Sequence, residues 1–180
     1  MTTYVALLRG INVGGKHSLP MQTLRDILAA LGCEDAKTYI QSGNAVFSFE
    51  SDVKELAVEI TAAIEREVGF APSVQVFTCD EFQSILDANP FPGAVAEPKS
   101  LHIAFLAETP SAPDLAAIAA LQSATEESHL MDGAFFLHAP DGIGRSKLAA
   151  KVDKCLGVET TGRNWRSATR IAALAATIIS

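Results

Sequence analysis

Arg9-Gly10-Ile11-Asn12-Val13-Gly14-Gly15-Lys16 sets three glycines between two cations, directly after an apolar run from Tyr4 to Leu8. Glycine turns expose backbone N–H groups, and a lysine or arginine at their edge adds charge, so the chemistry such a stretch suits is capture of a phosphate or carboxylate. Gly10, four residues, Gly15 and Lys16 also satisfy the spacing of a nucleotide-hydrolysing P-loop. That machinery places a Ser or Thr after the lysine to hold magnesium. Here His17 follows, and the chain runs on to Pro20 before a helix can begin, so nucleotide hydrolysis is not expected.

Three further stretches pair turn residues with polar or cationic side chains: Ser42-Gly43-Asn44, Arg145-Ser146-Lys147 and Arg163-Asn164. Between Arg145 and Arg170 seven basic residues face two acidic ones, a local charge of +5, while the rest of the chain carries −12. A locally basic end on an acidic body suits a small anion better than a long duplex, which needs a broadly basic surface. The expected ligand site therefore comprises Arg9, Asn12, Gly14, Gly15 and Lys16 in the first loop, and Ser42, Gly43 and Asn44 in the second. Arg145, Ser146, Lys147, Arg163 and Asn164 complete it. Each has a structural alternative: the glycines can serve positive φ, Asn12 and Asn44 can close turns, and Ser146 and Asn164 can cap helices.

Elements must position these residues. Tyr4 to Leu8 lacks polar alternation and reads as a strand buried on both faces. Ser18 is placed to cap a helix carrying Met21, Leu24, Ile27, Leu28 and Leu31 on one face, with Gly32 at its end. Lys37 to Gln41 and Ala45 to Phe49 read as a hairpin. A helix from Asp52 to Gly69, with Asp52 and Glu55 in capping-box spacing, and a strand from Val74 to Thr78 follow. This order, strand, helix, strand, strand, helix, strand, is that of the ferredoxin-like split βαβ motif.

The rest repeats it. After a helix at Asp80 to Asp87, the pattern predicts a strand at Leu101 to Ala107, a helix at Pro113 to Gln122, and a hairpin at Glu127 to Met131 and Ala134 to His138. A helix from Ser146 to Leu156, a short strand at Val158 to Thr160 and a last helix from Asn164 to Ile179 complete the chain. The expected fold is α+β, with two ferredoxin-like (βαββαβ) subdomains at 1–79 and 80–180 and a C-terminal helix in the second. Parallel first and second strands put Arg9 to Lys16 beside Gln41 to Asn44, and the same logic puts the turn at Pro140 to Lys147 beside the turn at Thr160 to Trp165.

The strings LLRGINVGGK (Leu7 to Lys16), YIQSGN (Tyr39 to Asn44), GRSKL (Gly144 to Leu148) and TGRNW (Thr161 to Trp165) resemble, in that order, motifs of a bacterial family, domain of unknown function 1697. The resemblance runs from Thr3 to about Leu174. It implies a cytoplasmic α+β protein with ferredoxin-like subdomains, and it implies no reaction or cofactor. The last string departs from the family pattern at Gly162, which separates Thr161 from Arg163.

Cys33, Cys79 and Cys155 are far apart with no metal-ligand spacing around them, so neither a zinc site nor a disulfide framework is expected, and a reducing cytoplasm fits. No basic leader with an apolar core opens the chain, and no apolar stretch reaches the roughly 18 residues of a membrane span. No cofactor is indicated, and no catalytic residue can be named. The partner expected is a small anionic ligand. The alternatives are a short single-stranded nucleic acid, which needs exposed aromatics on the sheets, or a protein adaptor. The charge-free helix end from Ile171 to Ile179 is expected to be buried or to join two copies of the chain.

Overall fold

The computed structural model describes residues 1–50, 53 and 55–178. The first half runs β1 (Thr2–Arg9), α1 (Met21–Ala30), β2 (Glu34–Thr38), β3 (Asn44–Phe49), α2 (Leu56–Val68) and β4 (Ser73–Thr78), and α3 (Cys79–Asp87) follows it. The second half runs β5 (Leu101–Leu106), α4 (Leu115–Leu121), β6 (Glu127–Met131), β7 (Ala134–His138), α5 (Val152–Leu156) and β8 (Thr160–Asn164), and α6 (Trp165–Ala175) closes the chain. The strands form two four-stranded sheets of matching order, β2-β3-β1-β4 and β6-β7-β5-β8. The fold is α+β, two βαββαβ arrangements of the ferredoxin-like kind plus a C-terminal helix. Contacts divide the chain into Met1–Gln83 together with Arg170–Ser180, and Ser84–Thr169.

β1 has six consecutive buried residues, which is what its unbroken apolar run requires. Tyr4, Ala6 and Leu8 join Leu24 and Leu28 of α1 and Leu56, Ile60 and Ile64 of α2 in one cluster, while Val5 and Leu7, on the other face, are 0% exposed. β3 and β4 pair with β1 antiparallel on its two edges. In the second unit Leu106, Phe135 and Leu137 pack with Ile118 of α4 and Leu156 of α5. The Asp132-Gly133 turn closes β6 onto β7 with Met131 opposite Ala134, the pairing expected of a two-residue hairpin turn.

Several expected boundaries shift. Pro20, not Ser18, is the N-cap of α1, with no side-chain cap bond; its fixed φ serves there. The capping box assigned to α2 includes Asp52, which lies outside the described residues, as does Ile179 in the last helix. β2 begins at Glu34, ahead of the expected Lys37, and Asn44 belongs to β3 rather than to the connecting turn. The single helix expected from Ser146 to Leu156 is instead a 3₁₀ turn at Ala149–Lys151 followed by α5, which ends on Gly157 at φ 72°.

The largest correction concerns Thr160 to Asn164. Expected as a turn after a short strand, this segment is itself β8, paired antiparallel with β5 from Leu106↔Thr160 to His102↔Asn164. Gly162 and Asn164 weaken the strand character that Thr160 and Thr161 supply, so pairing with the otherwise open edge of β5 decides the conformation. Consistent with its expected burial, α6 has Ile171 and Ala175 almost fully enclosed, as is Ile178 just beyond it. Lys37 of β2 donates to the Thr177 hydroxyl at 2.9 Å, tying the chain end to the first sheet.

Gly43 is the tightest glycine. At φ 88°, a Cβ there would stand 2.7 Å from Leu8 Cβ and 2.8 Å from Ile11 Cδ1, whereas a Cβ on Gly15 (φ 72°) meets nothing within 4 Å. Gly43→Ala is expected to lower unfolding stability by about 3 kcal/mol, strain and steric overlap combined, and Gly15→Ala by about 1 kcal/mol from φ alone. Urea unfolding of both variants measures the contrast, and equal losses would disprove it.

Candidate functional site

In the first unit the glycine loop is a small closed structure. Lys16 N–H donates to the Val13 carbonyl at 3.0 Å and Asn12 N–H to the His17 carbonyl at 3.0 Å, so Val13 and Lys16 face each other across Gly14-Gly15. Gly14 (φ 58°) and Gly15 (φ 72°) supply the two consecutive positive φ angles of a type I′ hairpin turn. That use of the glycines departs from a P-loop, and α1 starts five residues past Lys16. His17, at φ 52°, donates from Nδ1 to the Gly10 carbonyl (3.1 Å) and stacks on Phe70 with ring centroids 4.8 Å apart.

Asn12 binds this loop to the next. Its Nδ2 donates to Leu19 O (2.9 Å) and to Gln41 O (2.8 Å), and its Oδ1 accepts from Leu19 N–H (2.8 Å). Leu8 N–H donates to the Gly43 carbonyl at 2.8 Å. The loops of residues 9–16 and 41–44 are therefore neighbours, as the parallel course of β1 and β2 requires. Asn44 is fully buried, and its Nδ2 donates to Tyr39 O (2.9 Å) and Ser42 Oγ (3.0 Å). Asn12, Gly14, Gly15, Gly43 and Asn44 thus have structural roles. Arg9 is exposed at the end of β1, opposite Ser73, and Lys16 is exposed beside the glycine turn.

In the second unit two of the expected residues are caps and one lies within a strand. Asn164 Oδ1 accepts from Ser167 N–H at 2.8 Å and caps α6, and Ser146 Oγ accepts from Ala149 N–H at 3.0 Å. Arg163 lies opposite Ile103 within β8 and donates from Nη1 to the Gly162 carbonyl at 2.8 Å. Burial disfavours its charge and pulls its pKa down to about 10. Arg145 and Lys147 are exposed, and among the described residues neither has a carboxylate within 4 Å.

Arg145 and Lys147 line a groove of about 510 Å³ with Gln122, Glu126, Asp141 and Gly142. Glu126 is 7% exposed and accepts from Ser123 N–H through Oε2 (2.9 Å); Asp141 Oδ2 accepts from the Thr125 hydroxyl (2.5 Å). Sequence reasoning missed these two carboxylates. Ser123-x-x-Glu126 has capping-box spacing, the one local signal that marks Glu126 as held in place.

Other sequence features settle locally. Glu127 faces His138 across the hairpin with 3.8 Å between Oε1 and Nδ1. The cysteines are free, and the Cys33 thiol is pushed up to about 11, chiefly by burial and then by Glu59. Phe47, Phe135 and Phe136, at 2% exposure or less, lie in the interior, so these rings provide no stacking platform for a nucleic acid. Among the described residues no helix is long and apolar enough to cross a membrane, and no group of three His, Cys, Asp or Glu side chains could hold a metal.

Two split βαβ units with glycine-bearing motif loops define the class of protein, a duplicated ferredoxin-like α+β fold. The chain belongs to the DUF1697 family of proteins of unknown function, whose model matches residues 1–136. It is similar in structure to the conserved bacterial protein SP0830 from Streptococcus pneumoniae, with TM-score 0.80 and 23% identity over 98% of this chain and 99% of that one. No curated protein matches the sequence.

Two outcomes test the structural assignments. Asn12→Ala removes three hydrogen bonds and is expected to cost about 2–4 kcal/mol in urea unfolding. Asn12→Asp, which turns a carboxylate toward the Leu19 and Gln41 carbonyls, is expected to cost more; an aspartate that restores stability would exclude this role for the amide. His102, half-buried in β5, has its pKa lowered by burial, with the Lys99 carbonyl opposing the shift, and its Nε2 has no partner. Folding therefore favours neutral imidazole, and that stability is full above about pH 6.5 and lost as pH falls through the lower native value. Between pH 7 and 5, His102→Leu is expected to lose stability less steeply than the wild type, and parallel slopes would refute the assignment.

Proposed function

We propose that this protein binds a small phosphorylated or carboxylated ligand in the groove of its second unit, with Arg145 and Lys147 as the anion-holding groups. The observation that carries the reading is the turn after β7, which sets both side chains on the wall of the groove without a carboxylate within 4 Å among the described residues. Two exposed cations on one concave wall are a reservoir of charge-assisted donors, and arginine can meet a phosphate or carboxylate bidentately. Bonds from Gly142 N–H to Ala139 O and from Ser146 N–H to Ile143 O hold the backbone of the turn.

The motif string Gly144 to Leu148 supplies both cations and lies beyond residues 1–136, over which the family model matches. Arg9 and Lys16 belong to the first unit and are not needed for this reading.

A thermal-shift screen with inorganic phosphate, sugar phosphates, nucleotides and small carboxylates tests it. A ligand at 100 times its Kd adds about 2.7 kcal/mol, several degrees of melting temperature for a chain of this size. Arg145→Ala/Lys147→Ala is expected to abolish the shift while leaving the ligand-free melting temperature within about 1–2 °C of the wild type, because both residues are exposed. A shift that survives in the double variant would place the anion elsewhere.

A further inference from the structure

The same groove holds charge of the opposite sign. Glu126 lines it and is more than nine-tenths buried. One of its carboxylate oxygens, Oε2, accepts from Ser123 N–H at 2.9 Å, and among the described residues no donor reaches Oε1 and no cation stands within 4 Å. Oε1 is not among the buried atoms that lack a partner, so it is open to water or to a ligand donor. Asp141 adds a second carboxylate to the lining. Ala120 and Leu121, at the end of α4, lie there too, and the end of a helix presents carbonyls without intrahelical partners. Acceptors from the end of α4, Glu126 and Asp141 and donors from Arg145 and Lys147 therefore line one groove.

We infer that the ligand of this groove is a small zwitterion, with a phosphate or carboxylate toward Arg145 and Lys147 and an ammonium group toward Glu126. This rests on the anion-binding reading above and narrows its ligand class. A purely anionic ligand would offer no donor to Glu126 Oε1 and would bring further negative charge into a groove that already contains two carboxylates. An ammonium group at the other end of the molecule answers both problems with charge-assisted hydrogen bonds. The groove volume of about 510 Å³ accommodates a molecule of amino-acid or aminoalkyl-phosphate size.

Calorimetric titration of the full chain with matched pairs tests the inference: phosphoethanolamine against inorganic phosphate, and glycine against acetate. In at least one pair the zwitterion is expected to bind about tenfold more tightly. Glu126→Gln, which keeps an oxygen for Ser123 N–H, is expected to remove that advantage while leaving the affinity for the plain anion equal or higher. Arg145→Ala/Lys147→Ala is expected to abolish binding of both members. If anion and zwitterion bind equally, or if Glu126→Gln weakens both alike, the zwitterion inference is overturned while anion binding stands. If no member of either pair binds, the groove is not the ligand site and both readings fall.

Discussion

A strand with no exposed face must satisfy every backbone N–H and C=O through its neighbours, and that constraint organises each half of this protein. β1 and β5 are inner strands of their sheets, and each is paired on both edges. The penalty for an unpaired buried amide is of the order of 1–3 kcal/mol per group, larger than the differences in strand propensity among side chains. This explains why Thr160 to Asn164, with a glycine in the middle and Arg163 and Asn164 after it, is a strand. It also explains why the end of β1 is joined to the Gly43 turn by a hydrogen bond from Leu8 rather than left to solvent.

The same accounting limits what the glycine loop can do. Its positive φ angles and its internal bonds from Asn12 and Lys16 make a self-contained turn, with the Asn12 side chain serving Leu19 and Gln41 at once. Asn12 itself stands at φ 53°, and Ile40, a β-branched residue in the neighbouring loop, at φ 48°. Such conformations each cost of the order of 1 kcal/mol and persist because the surrounding bonds hold them. The motif that most resembles a phosphate cradle is therefore accounted for by hairpin geometry, and the cations Arg9 and Lys16 are its exposed margins.

Charge placement is different in the second unit. There the turn after β7 carries two exposed cations into a groove that Glu126 and Asp141 also line, and the carboxylates are engaged by Ser123 N–H and the Thr125 hydroxyl rather than by Arg145 or Lys147. Opposite charges held apart by backbone and hydroxyl bonds remain available to a third party. Charges that had neutralised one another would make a surface ion pair worth a fraction of a kcal/mol and nothing more.

Much of the architecture was legible in the residues. The apolar run at Tyr4 to Leu8, the mostly apolar one at Leu101 to Leu106 with His102 inside it, the stripe from Met21 to Leu28, and Asp132-Gly133 between alternating segments are local patterns, and each became the expected element because it already satisfies the geometry of that element. The grouping of polar residues was less legible. Gly43 and Asn12 were visible as turn residues, but Arg163 entered a strand, Asn164 and Ser146 became caps, and no local pattern places Glu126 and Asp141 in one groove. By itself the sequence determined the order and kind of most elements and the presence of a basic segment near the C-terminal end. Only the tertiary structure decided which charges share a groove, because that depends on strand pairing and turn direction over many tens of residues, and no short-range period encodes either.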